Sequence, residues 1–325
     1  MPRPVPLGIM FRCQYPPENL PDFAQRAEAA GFDELWVVED CFWNGGVSAA
    51  MAALDATADL TVGIGILPAV VRNAAFAAME FATLARLHPG RFLPGFGHGV
   101  GPWMRQVGAF PASQLMAIEE IAQTVRALLR GERVTFHGQQ VDLEGVELVH
   151  KPHPVPPLAL GVRGPKSLHL SGRVADATIV PELSSPAYVR WAKEQIAGGM
   201  RAAGRTGHHR LTVYALCSPD QNRTAALQRM RPQLAAFLAS PDTAGQVSHL
   251  PFADELAALA RRGESALRDE MPDAWITALT ASGTPEDCRL YVEALVEAGA
   301  GAVILVPLLD QPGDPVAALA EVLTG

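Results

Sequence analysis

The segment GVRGPKS, residues 161–167, contains residue types that hold an anion at the start of a helix. Gly164 stands where a helical pattern begins, and Pro165 suits the first helical turn. The free N–H groups that follow, the Lys166 ammonium and the Ser167 hydroxyl together favour a phosphate group. The same segment also fits an ordinary capped helix with a solvent-facing lysine, and both interpretations stay open at this point.

Other reactive side chains follow directly after apolar runs. Asp40 follows DELWVV (33–38), where a carboxylate can act as a general acid or base, or can only hydrogen-bond the edge of a bound ring. His98 is a second candidate for proton transfer. Trp43 and Trp103 can form walls of an apolar pocket. The structural alternatives are a capping or surface aspartate, a structural histidine and packed tryptophans.

Glycines alternate with other residues at the ends of two apolar runs. They are Gly63 and Gly65 in the first run, and Gly95, Gly97, Gly99 and Gly101 in the second. Because glycine weakens a strand and lacks a Cβ atom, we expect these positions to leave a shallow, flat surface that suits a planar ring. The chain contains neither G-x-G-x-x-G nor G-x-x-x-x-G-K-[ST], so the glycines do not predict a dinucleotide or P-loop site.

The elements that position these residues alternate between short apolar runs and helical patterns. The predicted strands are 5–11, 33–38, 60–66, 91–96, 157–162, 176–180, 211–217 and 302–306. Eight strands, most followed by a helix, predict an α/β fold with a closed (β/α)8 TIM barrel; the alternative is a doubly wound open sheet. Residues 133–148 predict a small hairpin excursion after the fourth helix. Residues 240–275 predict an insertion before the last strand–helix unit of a single domain, 1–325.

Composition excludes several classes of protein. Of the 325 residues, 49% are hydrophobic and 18% are charged, which predicts a large core rather than disorder. A net charge of −8 gives no support for a nucleic-acid partner, and no apolar run is long enough to predict a membrane span. The N-terminus has no signal-peptide pattern, and the four cysteines have no metal-ligand spacing. We therefore expect a cytoplasmic protein with free thiols and no metal site.

Three segments carry a family resemblance. They are AAGFDELWVVED (29–40), the stretch from TVGIGI to GFGHG (61–99) and GVRGPKSLHLSGRVADATIV (161–180). Together with SGTPEDC near the end, they resemble the bacterial luciferase-like superfamily of flavin- and deazaflavin-dependent oxidoreductases. The third segment is most similar to the methylenetetrahydromethanopterin reductase branch, which uses the deazaflavin coenzyme F420. The resemblance covers nearly the whole chain.

The resemblance implies roles for particular residues. It implies a non-prolyl cis peptide at Gly65–Ile66 behind the ring, a cofactor phosphate at 164–167, and Asp40 near the reacting part of the ring. The predicted cofactor-binding residues are Gly65, Ile66, Gly97, Gly99, Gly161, Val162, Arg163, Gly164, Pro165, Lys166 and Ser167. The predicted catalytic residues are Asp40 and His98, and the predicted substrate-binding residues are Phe42, Trp43, Trp103 and Glu182. Val100 replaces an acid of the sugar-phosphate dehydrogenases in this group, so a sugar phosphate is not the expected substrate.

The leading hypothesis is an oxidoreductase that moves a hydride between coenzyme F420 and a small organic substrate. One alternative is an FMN-dependent monooxygenase that uses reduced flavin and O2, and that needs a flavin reductase as its partner. A further alternative is a flavin-binding protein without catalysis. The resemblance also implies a homodimer, and the sequence does not identify the substrate.

Overall fold

A computed structural model describes residues 3–323 of the chain. Its strands are β1 (Leu7–Phe11), β2 (Glu34–Val37), β3 (Thr61–Ile64), β4 (Leu67–Pro68), β5 (Phe92–Leu93), β6 (Gly95–Gly97), β7 (Val134–His137), β8 (Asp142–Val146), β9 (Ala159–Gly161), β10 (Ala177–Val180), β11 (Arg210–Pro219), β12 (Ala281–Gly283) and β13 (Ala302–Pro307). Its α-helices are α1 (Leu20–Ala30), α2 (Gly46–Ala56), α3 (Ala74–Leu87), α4 (Gly101–Gln106), α5 (Gln114–Leu129), α6 (Pro165–Val174), α7 (Pro186–Ala202), α8 (Arg223–Ala239), α9 (Ala244–Val247), α10 (Ala253–Ala260), α11 (Glu264–Glu270), α12 (Asp273–Leu279), α13 (Pro285–Ala298) and α14 (Pro315–Ala320).

The main sheet closes into a barrel with eight strand positions. β3 and β4 are two segments of one strand, interrupted at Gly65 and Ile66, and β5 and β6 are two segments of the next, interrupted at Pro94. β3 pairs with β5 and β4 pairs with β6, and the pairing then continues through β9, β10, β11, β13, β1 and β2 back to β3. Every pairing in this sheet is parallel, so the predicted (β/α)8 barrel is confirmed.

Helix ends follow local capping chemistry. The Asn73 side chain accepts a hydrogen bond from the backbone N–H of Ala75 at the start of α3. Thr284 and Asp287 form a capping box at the start of α13. Gly31 ends α1 with a φ of 87°, a conformation that favours glycine.

The helices cover the outside of the barrel and bury its outer face. One buried apolar cluster lies between the sheet and these helices. A second cluster fills the barrel interior with side chains such as Trp36, Tyr214 and Ile304, and extends under the helices of 240–275. The side chains at the mouth of the barrel therefore lie directly above a closely packed interior, which limits their movement.

The predicted excursions are present, and two elements were not predicted. β7 and β8 form the antiparallel hairpin after α5, and 240–275 contains several short helices before the last barrel unit. The six-residue helix α4 follows the glycine-rich end of β6, and β12 extends the sheet beside the end of β11. Within residues 3–323, none of the helices combines the length and apolar character that crossing a bilayer requires.

Candidate active site

A cleft of about 470 Å³ opens at the carboxyl ends of the barrel strands. Arg12 and Cys13 reach it from the loop after β1, and Asp40 reaches it from the loop after β2. Glu182 lines it from the loop after β10, and Gln246 from α9 in the insertion. The mouth of this barrel therefore brings together acidic, basic and apolar groups, as expected for a binding site in this fold.

Strand three is interrupted where it borders the cleft. The Gly65–Ile66 peptide bond is cis, as the family resemblance implied, and both residues line the cleft. The Tyr214 hydroxyl contacts this bond and donates to the Gly65 carbonyl at 3.3 Å. A Cβ atom at Gly65 would lie 1.7 Å from the Tyr214 hydroxyl oxygen, so that oxygen occupies the space that a side chain would need.

The neighbouring glycines make room for the Ile66 side chain. A Cβ atom at Gly97 would lie 2.7 Å from Ile66 Cγ1, and one at Gly161 would lie 2.4 Å from Ile66 Cγ2. The predicted flat surface is therefore wrong at Gly97, because its missing Cβ faces Ile66 rather than open space. Among the described residues that line the cleft are Ile66, Gly99 and Gly161, but not Gly97.

The start of α6 has the features that favour anion binding. Gly164 is the N-cap residue, provides no capping side chain, and has no heavy atom within 4 Å of the place where a Cβ would stand. The first N–H groups of a helix have no partner inside it, so the backbone N–H groups of Lys166 and Ser167 are available to a ligand. Gly164, Val162 and Ser167 line the cleft.

The side chains beside this helix start point in different directions. Pro165 and Lys166 line a separate, open cavity of about 400 Å³ together with residues of α5, α6 and α7. In this arrangement the Lys166 side chain lines the outer cavity rather than the cleft, so its contact with a phosphate stays a prediction. Arg163 does line the cleft, and it donates to the Asp242 carbonyl at 3.3 Å.

His98 contacts the anion-binding segment. Its Nε2 lies 3.1 Å from the Ser167 hydroxyl oxygen, which joins the end of β6 to the start of α6. Burial lowers the pKa of His98, so the neutral imidazole is favoured at neutral pH. The structure thus places this predicted catalytic residue beside a predicted phosphate ligand.

Asp40 lies in a more acidic part of the cleft. Its Oδ2 accepts a hydrogen bond from Cys13 Sγ at 3.3 Å. Burial raises the pKa of Asp40, while the Cys13 hydrogen bond and the Arg12 charge oppose that rise. Burial also raises the pKa of Glu182, and the charge of Asp40 adds to that rise. The site therefore favours proton uptake at its carboxyl groups.

The adjacent Glu39 is held in a structural role. Its two carboxylate oxygens accept from Arg72 at 2.5 and 2.7 Å, and Oε2 also accepts from the Gly46 backbone N–H. This pairing fixes the loop after β2 against the start of α2. It also pairs the positive charge of Arg72, an arginine near the mouth, with a carboxylate.

The predicted substrate residues divide into two groups. Trp103 and Glu182 line the cleft. Phe42 and Trp43 are 63% and 53% exposed, and they do not line the cleft. Trp43 still packs edge-on against Trp103, with ring centroids 6.2 Å apart, so it supports one wall of the cleft.

Comparison with known proteins identifies the family. A family model described as luciferase-like monooxygenase matches residues 10–302. The chain belongs to the luciferase-like monooxygenase family. This confirms the resemblance read from the sequence.

Several relatives of this luciferase-like protein match most of its length. It is 29% identical over 304 residues to a 5,10-methylenetetrahydromethanopterin reductase of Methanolobus tindarius, covering 91% of this chain and 92% of the relative. It is 29% identical over 318 residues to an F420-dependent glucose-6-phosphate dehydrogenase of Kineococcus radiotolerans, covering 91% and 89%. It matches the structure of a coenzyme F420 dependent tetrahydromethanopterin reductase from Methanopyrus kandleri with a TM-score of 0.83 at 22% identity, covering 98% and 97%.

Among the residues that line the cleft of this luciferase-like protein, Cys13, Tyr214 and Gln246 were not predicted as site residues from the sequence. Cys13 stands just after β1, so its place at a strand end was an available signal. Tyr214 lies in the middle of β11, and no local pattern marks a buried tyrosine as part of a site. Gln246 belongs to the irregular insertion, whose position over the mouth depends on tertiary packing.

Proposed function

We propose that this protein is an oxidoreductase that moves a hydride between coenzyme F420 and a small organic substrate. The observation that carries the proposal is that one cleft contains both the uncapped start of α6 and the half-buried carboxyl of Asp40. The first favours a phosphate group and the second can exchange a proton. The relative named as an F420-dependent glucose-6-phosphate dehydrogenase supports the same assignment.

The residues present fit a phosphorylated deazaflavin. Backbone N–H groups of Lys166 and Ser167 and the Ser167 hydroxyl would hold its phosphate, and Gly164 leaves the approach open. Ile66 and Gly65 would lie against its ring, since both line the cleft beside the interrupted strand. When bound, this cofactor supplies the hydride donor or acceptor of the reaction.

The chain's own groups then orient the reactants and handle the proton. Asp40 would exchange a proton through Oδ1, because Oδ2 already accepts from Cys13. The Arg12 guanidinium is fixed by its hydrogen bond to the Pro307 carbonyl at 2.9 Å, and its charge favours the ionised form of Asp40. Trp103 gives the cleft an apolar wall that limits the access of water.

Binding of each cofactor to the purified apoprotein, followed by fluorescence, tests this proposal. We expect F420 to bind more tightly than FMN, and Ser167→Ala to weaken F420 binding. Lys166→Ala is the matched control, because this side chain is in the same helical turn but lines the outer cavity. Tight FMN binding without F420 binding would contradict the proposal. That result would favour the FMN-dependent monooxygenase, which would also need a flavin reductase as its partner.

We further propose that the protein is a cytoplasmic homodimer. The four cysteines are free thiols, which suits a reducing compartment. On α3 the side chains of Phe76, Met79 and Leu87 are all exposed, and a second copy of the chain would cover such apolar groups. Light scattering on the purified protein should give twice the mass of one chain, and a monomer would contradict the proposal.

A further inference from the structure

We infer that Cys13 is a positioning residue for Asp40. Its thiol holds one oxygen of the carboxyl and leaves the other free to exchange a proton with a ligand. The role of that free oxygen in a reaction rests on the function proposed above. The contact between the thiol and the carboxyl does not depend on it.

The geometry ties these two residues together from separate loops. Cys13 is 3% exposed, and its Sγ donates to Asp40 Oδ2 at 3.3 Å. Within residues 3–323, this is the only side-chain hydrogen bond made by the Asp40 carboxyl. Asn44, four residues after Asp40, donates to the carbonyls of Cys13 and Tyr15 at 3.2 and 3.3 Å. The loop after β1 is thus fastened to the loop that carries Asp40.

The chemistry of the thiol restricts it to one role. Burial, and then the nearby charge of Asp40, raise the pKa of Cys13 to about 12. The thiol therefore stays protonated at ordinary pH and can donate a hydrogen bond, but it does not become a nucleophile. A donor at Oδ2 stabilises the ionised carboxyl and opposes the effect of burial. Cys13 thus orients Asp40 and lowers the proton affinity that burial would otherwise give it.

Other titratable groups also interact electrostatically with Asp40, and their effects must be separated from that of Cys13. They come from the loops after β1, β2 and β10 and from β11, and they are Arg12, Cys41, Glu182 and Tyr214. Arg12 favours the ionised form of Asp40, whereas the charge of Asp40 itself raises the pKa values of the other three. A pH profile alone would also report on these other groups. A test must therefore observe the hydrogen bond of the Cys13 thiol directly.

Infrared spectroscopy of the apoprotein provides that test, since an S–H stretching band moves to lower frequency when the thiol donates a stronger hydrogen bond. The Cys13 band is identified as the one lost in Cys13→Ser. We expect it to shift downward as rising pH ionises Asp40, and to lose this pH dependence in Asp40→Asn. Cys41→Ser is the matched control, because it removes a neighbouring thiol and should leave the Cys13 band unchanged. A band that does not respond to pH, or that behaves identically in Asp40→Asn, would overturn the inference.

A kinetic measurement then examines the consequence for the proposed reaction. Cys13→Ala removes the donor, so the pKa that Asp40 contributes to the pH profile of kcat should rise by about half a pH unit. Cys13→Ser retains a donor and should restore most of the original profile. An unchanged profile in Cys13→Ala would refute the effect on proton affinity. A failure of the protein to use F420 would refute the proposed function, while the infrared result would stand independently.

Discussion

Replacing Gly161 by alanine tests why glycines surround the interrupted strand. The added Cβ would lie 2.4 Å from Ile66 Cγ2, about 1 Å closer than an ordinary contact between carbon atoms. The backbone of Gly161 does not have the positive φ that favours glycine, so the clash alone should determine the cost. Overpacking of this kind costs about 1–3 kcal/mol of unfolding free energy. Because Ile66 and Gly161 both line the cleft, F420 affinity should fall as well.

A double-mutant cycle with Ile66→Ala isolates this contact. Ile66→Ala alone should destabilise the protein, because it removes packed methyl groups. In the double variant the added Cβ has space, so Gly161→Ala should cost little. The coupling free energy between the two sites should therefore be favourable and about 1–3 kcal/mol. Gly245→Ala is the control, since a Cβ at Gly245 in α9 would meet nothing within 4 Å.

Denaturant unfolding of the four proteins in the cycle supplies the assay, with the slope compared as well as the midpoint. Additive effects, with Gly161→Ala equally costly in the presence of Ala at position 66, would refute the reasoning. Gly161 would then be glycine for some reason other than Ile66. A destabilised Gly245→Ala control would show that glycine replacement itself, rather than the clash, produces the loss.

Two further predictions concern groups outside the proton-exchange chemistry. Burial lowers the pKa of His209 to about 4, below its usual 6.5, so stability should fall as pH drops from 6.5 towards 4, by up to about 3 kcal/mol. The unfolding free energy of His209→Gln, measured across that pH range, should not show this loss. An equal loss of unfolding free energy in the variant would contradict the prediction. Glu39→Gln weakens the pairing with Arg72 and should cost about 1–3 kcal/mol in denaturant unfolding. Wild-type stability in this variant would show that the pair contributes little.

The sequence alone was sufficient for features that depend on local patterns. The barrel strands, the hairpin β7–β8 and the start of α6 follow from periodicity, glycine and proline positions within short segments. The path of the Lys166 side chain was not predictable, because it depends on the rotation of α6 against its neighbours. The packing of Ile66 between two distant glycines was also missed, since it joins three separate strands.

The order of the strands separates the candidate site into two ends. The loops after β1 and β2 bring Cys13 and Asp40 together, and the next strand supplies Ile66. The two strands beyond it lead to His98 and Ser167, which are joined at 3.1 Å. Substitutions at the anion-binding end should therefore change cofactor affinity, whereas substitutions at the carboxyl end should change turnover and its pH dependence. The effects on cofactor affinity and on turnover should be separable. The contact between Cys13 and Asp40 lies within one end, and the contact between His98 and Ser167 lies within the other.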